Sequence, residues 1–251
     1  NKNGKENERP VWSLGERCMS RNAVKYLAMA AMFCNHFAYI FLKEGSTAQE
    51  VMIDIGYFTA VTMCYFLVEG YRYTRSVKKY ALRLLVFGVL SQLPFMLALK
   101  QTNLNMMFSL LLCLGVIWIK DHVKNKGERT IWLCVLVVCS LWTDWALLAP
   151  VFTILFADAY GDRKKVTLAY GKAAGLFLFL NLLSYERDYG LGNALVHSVC
   201  ACIGLVVSGV VIQCVYDKEK KRKVYGWEKW FFYGFYPVHL LVLWVIRFAK
   251  I

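Results

Sequence analysis

The chain has 251 residues, of which 58% are apolar and 16% aromatic, while only 19% are charged. A soluble domain of this length does not carry repeated apolar runs of membrane-spanning length, so the composition specifies a polytopic helical membrane protein and excludes a soluble globular enzyme. The net charge of +13 does not point to nucleic acid, because the basic residues sit in short loops between apolar runs and no nucleic-acid motif accompanies them.

Apolar runs fall at 22–42, 51–69, 82–99, 104–119, 131–142, 145–157, 173–183, 194–215 and 230–248. They predict an all-α transmembrane bundle of about 8–10 spans. Residues 1–21 read as a cytoplasmic N-terminal segment without the apolar core of a cleavable signal, so the first span itself is expected to direct insertion. Residues 22–251 read as one transmembrane domain with no internal repeat. The stretch 131–157 reads as a hairpin turning at Thr143–Asp144, because a single tilted helix would carry the Arg163–Lys165 cluster to the wrong side. With the N-terminus inside, 25 of the 30 Lys and Arg lie in inner regions, all but Lys43, Lys100, Arg187, Arg247 and Lys250. That asymmetry places the N-terminus in the cytoplasm. Eight of the nine cysteines lie within apolar runs and none forms a CxxC pair, so they read as reduced packing residues with no disulfide framework and no metal site.

The first run, SRNAVKYLAMAAMFCNHFAYIFL over 20–42, carries Lys25 and His36 eleven residues apart. Eleven residues at 100° return to within about 20° of the starting direction, with a rise of roughly 16 Å. Both ionisable groups therefore share a face with Met29 and Met32, and a charged group in lipid is a functional candidate because its burial costs several kcal/mol. Snorkelling for Lys25 and a structural hydrogen bond for His36 are the plainer alternatives. Helix rise places His36 in the outer half of the membrane and Asp54, near the start of the second span, at similar depth. A carboxylate there is suited to hold the imidazole as a general base. Asp54 shares its helix face with Tyr65, Glu69 and Arg72. On the last span Tyr233, Tyr236 and His239 follow at intervals of three around Pro237 and form a polar aromatic face. His122 and His197 read as surface residues.

The stretches VKYLAMAAMFCNHFAYIF (24–41), IGYFTAVTMCYFLVEGYRYTRSVKKYALRLLVFGVLSQLPF (55–95), LNMMFSLLLCLG (104–115) and FFYGFYPVHLLVLW (231–244) together resemble the TraX family. The EG-Y-x-Y-T-R turn followed by Y-x-x-R-L, and the FYP-x-H helix, are its most specific parts. The Lys25-x10-His36 spacing is also similar to the first span of acyltransferase-3 membrane enzymes. Where family members often have Asp before the first-span histidine, this chain has Asn35, and the second span lacks the family's frequent Arg and Pro.

The resemblance implies a multi-pass enzyme of a bacterial-type inner membrane. It would move an acyl group, acetyl above all, from cytosolic acyl-CoA to an amine or hydroxyl on an extracytoplasmic peptide, pilin-like or glycan acceptor. Under this reading His36, Asp54 and His239 are the catalytic candidates. Lys25, Glu69, Arg72, Arg75 and Arg83 would hold the donor, with the arginines on its phosphates. Asn35, Asp144 and Tyr236 would contact the acceptor. The plainer reading of the basic loops is topology and anionic lipid. Two other classes of function fit part of the pattern. One is a proton-coupled transporter path lined by Lys25, His36, Asp54 and Glu69; the other is a non-catalytic membrane partner of a secretion system.

Overall fold

The computed structural model describes residues 19–218 and 226–249. Residues 1–18 of the expected N-terminal segment 1–21, and the basic residues Lys220, Lys221, Arg222, Lys223 and Lys250, lie outside the described residues. Among those described there are nine α-helices: α1 (Arg21–Phe41), α2 (Thr47–Tyr73), α3 (Val77–Leu99), α4 (Met106–His122), α5 (Lys126–Cys139), α6 (Leu148–Ala159), α7 (Arg163–Tyr189), α8 (Leu191–Val210) and α9 (Gly226–Ala249). Five are long and apolar enough to cross a membrane: α2, α3, α7, α8 with its π-helical extension Val211–Val215, and α9. The chain is an all-α, multi-pass membrane protein.

Small polar residues start these helices where the apolar periodicity begins. Ser20, Ser46, Ser76, Asn105, Asn125 and Asp162 each accept a hydrogen bond from a backbone amide in the first turn of the following helix, satisfying donors that a helix start leaves orphaned. Apolar runs expected over 51–69 and 173–183 become helices of 27 residues each. In α7 the added turns carry Arg163, Lys164, Lys165 and Lys172, whose charge hides the helix from an apolar count.

The stretch 131–157 is broken, as the charge balance requires. A 3₁₀ turn over Ser140–Trp142 leads into an irregular link tied to the start of α4. Leu104 N–H donates to Trp142 O at 2.9 Å and Asp144 N–H to Leu104 O at 2.7 Å, while the Ser109 hydroxyl donates to the Asp144 carbonyl. Trp145 and Leu147 take positive φ, 59° and 60°, a conformation that disfavours β-carbon-bearing residues. The Ser140 hydroxyl accepts the Leu147 amide at 3.0 Å and helps hold that geometry. At the other end of α6, Lys120 pairs with Asp158 at 2.5 Å, so α6 runs alongside α4 in the same direction.

Helix α2 is the centre of the bundle and packs on α1, α4, α6 and α8. Interhelical hydrogen bonds supplement van der Waals packing, as in membrane bundles generally. Thr59 Oγ1 donates to Ala28 O at 2.6 Å, and Thr62, Ser208 and Tyr170 link α2, α8 and α7 through distances of 2.7 and 3.2 Å. Close approach depends on Gly204, where an added Cβ would lie 2.5 Å from the Asp54 carbonyl oxygen and 2.9 Å from the Phe58 nitrogen. A second, smaller core of Phe95, Ala98, Tyr236 and Leu240 joins α3 to α9.

Candidate functional site

Helices α1, α2, α3 and α9, the first turns of α4, and the Asp144–Trp145 link surround a cavity of about 570 Å³. It follows α1 from Arg21 to Tyr39, a distance of about 27 Å by helix rise. The charged, amide and imidazole residues of α1 line it: Arg21, Asn22, Lys25, Asn35 and His36. The two ends differ in charge. One is lined by Arg21, Lys25, Arg83 and Lys229 with the buried Glu228; the other by His36, Tyr39, Gln101 and Asp144. Met29, Met32, Met63, Met106 and Met107 line the passage between, unbranched side chains that adapt to an inserted chain.

His36 and His239 meet at the far end. His36 Nδ1 lies 2.7 Å from His239 Nε2, both residues are buried, and the rings are parallel within 7°. The tautomers follow from the network. His239 Nδ1 is 2.8 Å from the Phe235 carbonyl, which can only accept, so Nδ1 carries the proton and Nε2 of a neutral ring is an acceptor. His36 Nδ1 must then donate to it, and His36 Nε2 is left as a lone pair on the cavity wall. A fixed tautomer with a free basic nitrogen is what a general base needs.

The expected carboxylate partner for His36 is not there. Asp54 has the expected depth but not the expected direction. It is absent from the cavity wall, and its backbone lies against Gly204 of α8, on the side where Glu50 and His197 pair at 3.4 Å. Depth follows from helix rise, but rotation about the helix axis is set by packing. His239 takes the place expected for Asp54.

The expected donor-binding residues also divide. Lys25 lines the cavity with Nζ 4.8 Å over the Phe232 ring. Arg83 lines it as well, its Nε donating to Tyr233 OH at 3.4 Å. Arg72 is instead held by Asp121 through contacts of 2.6 and 3.3 Å. Arg75 is exposed, and neither residue borders the cavity. Glu69 is buried behind the wall, where it takes the Arg21 guanidinium at 3.2 Å and the Tyr216 hydroxyl at 2.9 Å; its role is to brace Arg21. Sequence reasoning missed Arg21, Lys229 and Glu228 as wall residues. Glu228 accepts from Asn22 Nδ2 at 3.1 Å and Tyr26 OH at 3.3 Å. An acidic residue opening the last helix at the end of a basic loop was the available signal.

All three residues expected near the acceptor border the cavity. The Asn35 amide donates to Ile53 O at 3.1 Å across the α1–α2 contact that Gly56 makes possible, since a Cβ there would sit 2.3 Å from Asn35 Cβ. Asp144 takes the Trp145 amide on Oδ1 at 3.1 Å, and burial pushes its carboxyl up to about 6, opposed in part by that hydrogen bond. Tyr236 is buried within ring-contact distance of both histidines, 6.1 and 5.7 Å between centroids. Among the described residues no cluster of three or more His, Cys, Asp or Glu has the arrangement of a metal site.

The chain matches the family model described as "TraX protein" over residues 20–247. It is 32% identical over 244 residues to the probable fimbrial assembly protein FimC, serogroup H1, of Dichelobacter nodosus, covering 90% of this chain and 97% of that relative. No solved structure matches. The family match runs from the start of α1 into the last turn of α9 and takes in both members of the His36–His239 pair, and on that extent the chain belongs to the TraX protein family.

Proposed function

We propose that this protein is a membrane acyltransferase that takes an acyl group, acetyl above all, from acyl-CoA entering at the basic end of the cavity. The acceptor is an amine or hydroxyl presented at the opposite end. The observation that carries this reading is the His36–His239 pair, with the free Nε2 of His36 on the wall of a passage whose basic end holds four cations. Arg21, Lys25, Arg83 and Lys229 suit a polyanionic nucleotide, and a methionine-lined passage suits a flexible thioester arm.

In the reaction the acceptor's N–H or O–H proton passes to His36 Nε2 as its heteroatom bonds to the thioester carbon. The C–S bond then breaks, and the departing thiolate takes the proton from His36. His239 orients the ring and shares the transient charge through the Nδ1–H contact. The relative's name refers to fimbrial assembly, so a subunit of a surface fibre, or a glycan attached to one, is the acceptor class proposed here. The transporter reading loses support from geometry, because Asp54 and Glu69 do not line the cavity with Lys25 and His36.

Purified protein given radiolabelled acetyl-CoA and a short peptide with a free amino terminus should release CoA thiol and label the peptide. Uptake of label into vesicles without thiol release would support transport instead and would overturn the proposal.

A further inference from the structure

Lys25 of α1 and Arg83 of α3 reach α9 at consecutive residues and so lie at one depth in the cavity. Lys25 Nζ is 4.8 Å over the Phe232 ring, and Arg83 Cζ is 5.9 Å over Tyr233 and 5.5 Å over Tyr80. Both cations are half-buried and border the cavity, and among the described residues neither forms an ion pair. The acids nearby are committed elsewhere, Glu69 to Arg21 and Tyr216 and Glu228 to Asn22 and Tyr26. Two phenols join the cations. Tyr233 OH accepts from Arg83 Nε and keeps its own proton to give, with no acceptor among the described residues. The Tyr80 hydroxyl makes no hydrogen bond with a described residue and retains accessible surface. Gly70 gives that hydroxyl its room: a Cβ there would lie 3.2 Å from it, and Gly70, Tyr80 and Tyr233 all border the cavity. Unpaired cations and O–H donors at membrane depth are costly unless an anion with several oxygens joins them.

Distance says which anion. Lys25 and His36 are separated by roughly 16 Å of helix rise. The phosphorus and sulfur of a phosphopantetheine arm are about thirteen bonds apart, roughly 16 Å when extended at backbone-like bond geometry. Resting on the acyl-transfer reading, we infer that Lys25, Tyr80, Arg83 and Tyr233 form the subsite for the phosphoryl group joined to the donor's pantetheine arm, so that the cavity measures the donor from phosphate to thioester. The phosphate accepts from both phenols and the Arg83 guanidinium, while Lys25 supplies a point charge. No bond is made or broken there. Arg21 stands outside the subsite, because its Nη2 donates to Phe66 O at 3.1 Å and its Nε faces Glu69 at 3.2 Å. The recognised unit is then phosphopantetheine, and a thioester that carries the phosphate without the adenosine is a donor.

The test uses the purified protein in neutral detergent with the peptide acceptor and two donors, acetyl-phosphopantetheine and acetyl-pantetheine, which differ only in the phosphate. Wild type should prefer the phosphorylated donor by at least about 100-fold in kcat/KM, the scale of one or two hydrogen bonds to a charged group. Tyr80→Phe and Tyr233→Phe should each shrink that ratio about tenfold, through KM for the phosphorylated donor and not through kcat. Binding is read without turnover from the ³¹P resonance of phosphopantetheine, which should shift on adding wild type and stay in place with Arg83→Gln. Equal wild-type rates on the two donors, or a full ratio in both phenylalanine variants, overturns the subsite and leaves the acyltransferase reading standing. Loss of the ³¹P shift when phosphatidylglycerol is added to the micelles assigns the four residues to a lipid headgroup and overturns it as well. A wild-type protein that releases thiol neither from these donors nor from acetyl-CoA overturns the acyl-transfer reading and the inference with it.

Discussion

His36 has a neighbour that only accepts and a free nitrogen that only accepts, so one proton position defines the site. Replacing His239 by Phe removes the acceptor for His36 Nδ1–H and lets the ring choose either tautomer. We expect kcat to fall by about 10²–10⁴-fold, the scale of a positioned general base's contribution, with the protein still folded by circular dichroism. Asp144 gives a pH signature. Its carboxyl titrates near 6 rather than 3.8, so the folded chain holds this proton more tightly than the unfolded one. The stability this contributes is fully present below 3.8 and is lost as pH rises through 6. Thermal melts of wild type should show that decline and Asp144→Asn should lack it. At this scale the sequence was informative about composition and depth. Lys25 and His36 do share the cavity face that their spacing implied. The partner of His36 was not legible, because Asp54 and His239 both had suitable depth and only the packing of α2 on α8 turns Asp54 away.

The caps and the apolar runs were readable element by element because each depends on residues close in sequence. The break between α5 and α6 was readable too, from charge on the loops that follow. The function of a basic loop was not. Arg72 and Arg75 sit in the expected cluster, yet Arg72 spends its fork on Asp121, whereas Arg21 is turned inward by Glu69. Arg72→Ala should therefore leave KM for acyl-CoA nearly unchanged and cost under about 1 kcal/mol, as exposed ion pairs do. Neutralising Arg83 and Lys229 together should raise KM with a smaller effect on kcat, since those contacts are made alike in the ground and transition states. Titration of initial rates against acyl-CoA separates the two outcomes. At the α2–α8 contact, Gly204→Ala forces a Cβ against backbone. We expect a loss of about 1–3 kcal/mol, the usual cost of overpacking, read as a lower melting temperature in detergent.

Across the whole molecule, charge and cavity point the same way. The basic ends of the helices gather at one face, the cations of the cavity lie at that same end, and the histidine pair lies most of a membrane thickness away. The account therefore claims a donor from one side and an acceptor from the other, joined at His36. The most direct measurement uses vesicles with the protein inserted in one orientation, acetyl-CoA on the face bearing the basic end, and the peptide acceptor on the other. The account predicts labelled peptide and free CoA thiol, with the thiol on the donor's side, and neither from a folded His36→Ala protein. Equal transfer with the donor on the opposite face, or undiminished transfer by His36→Ala, would contradict it.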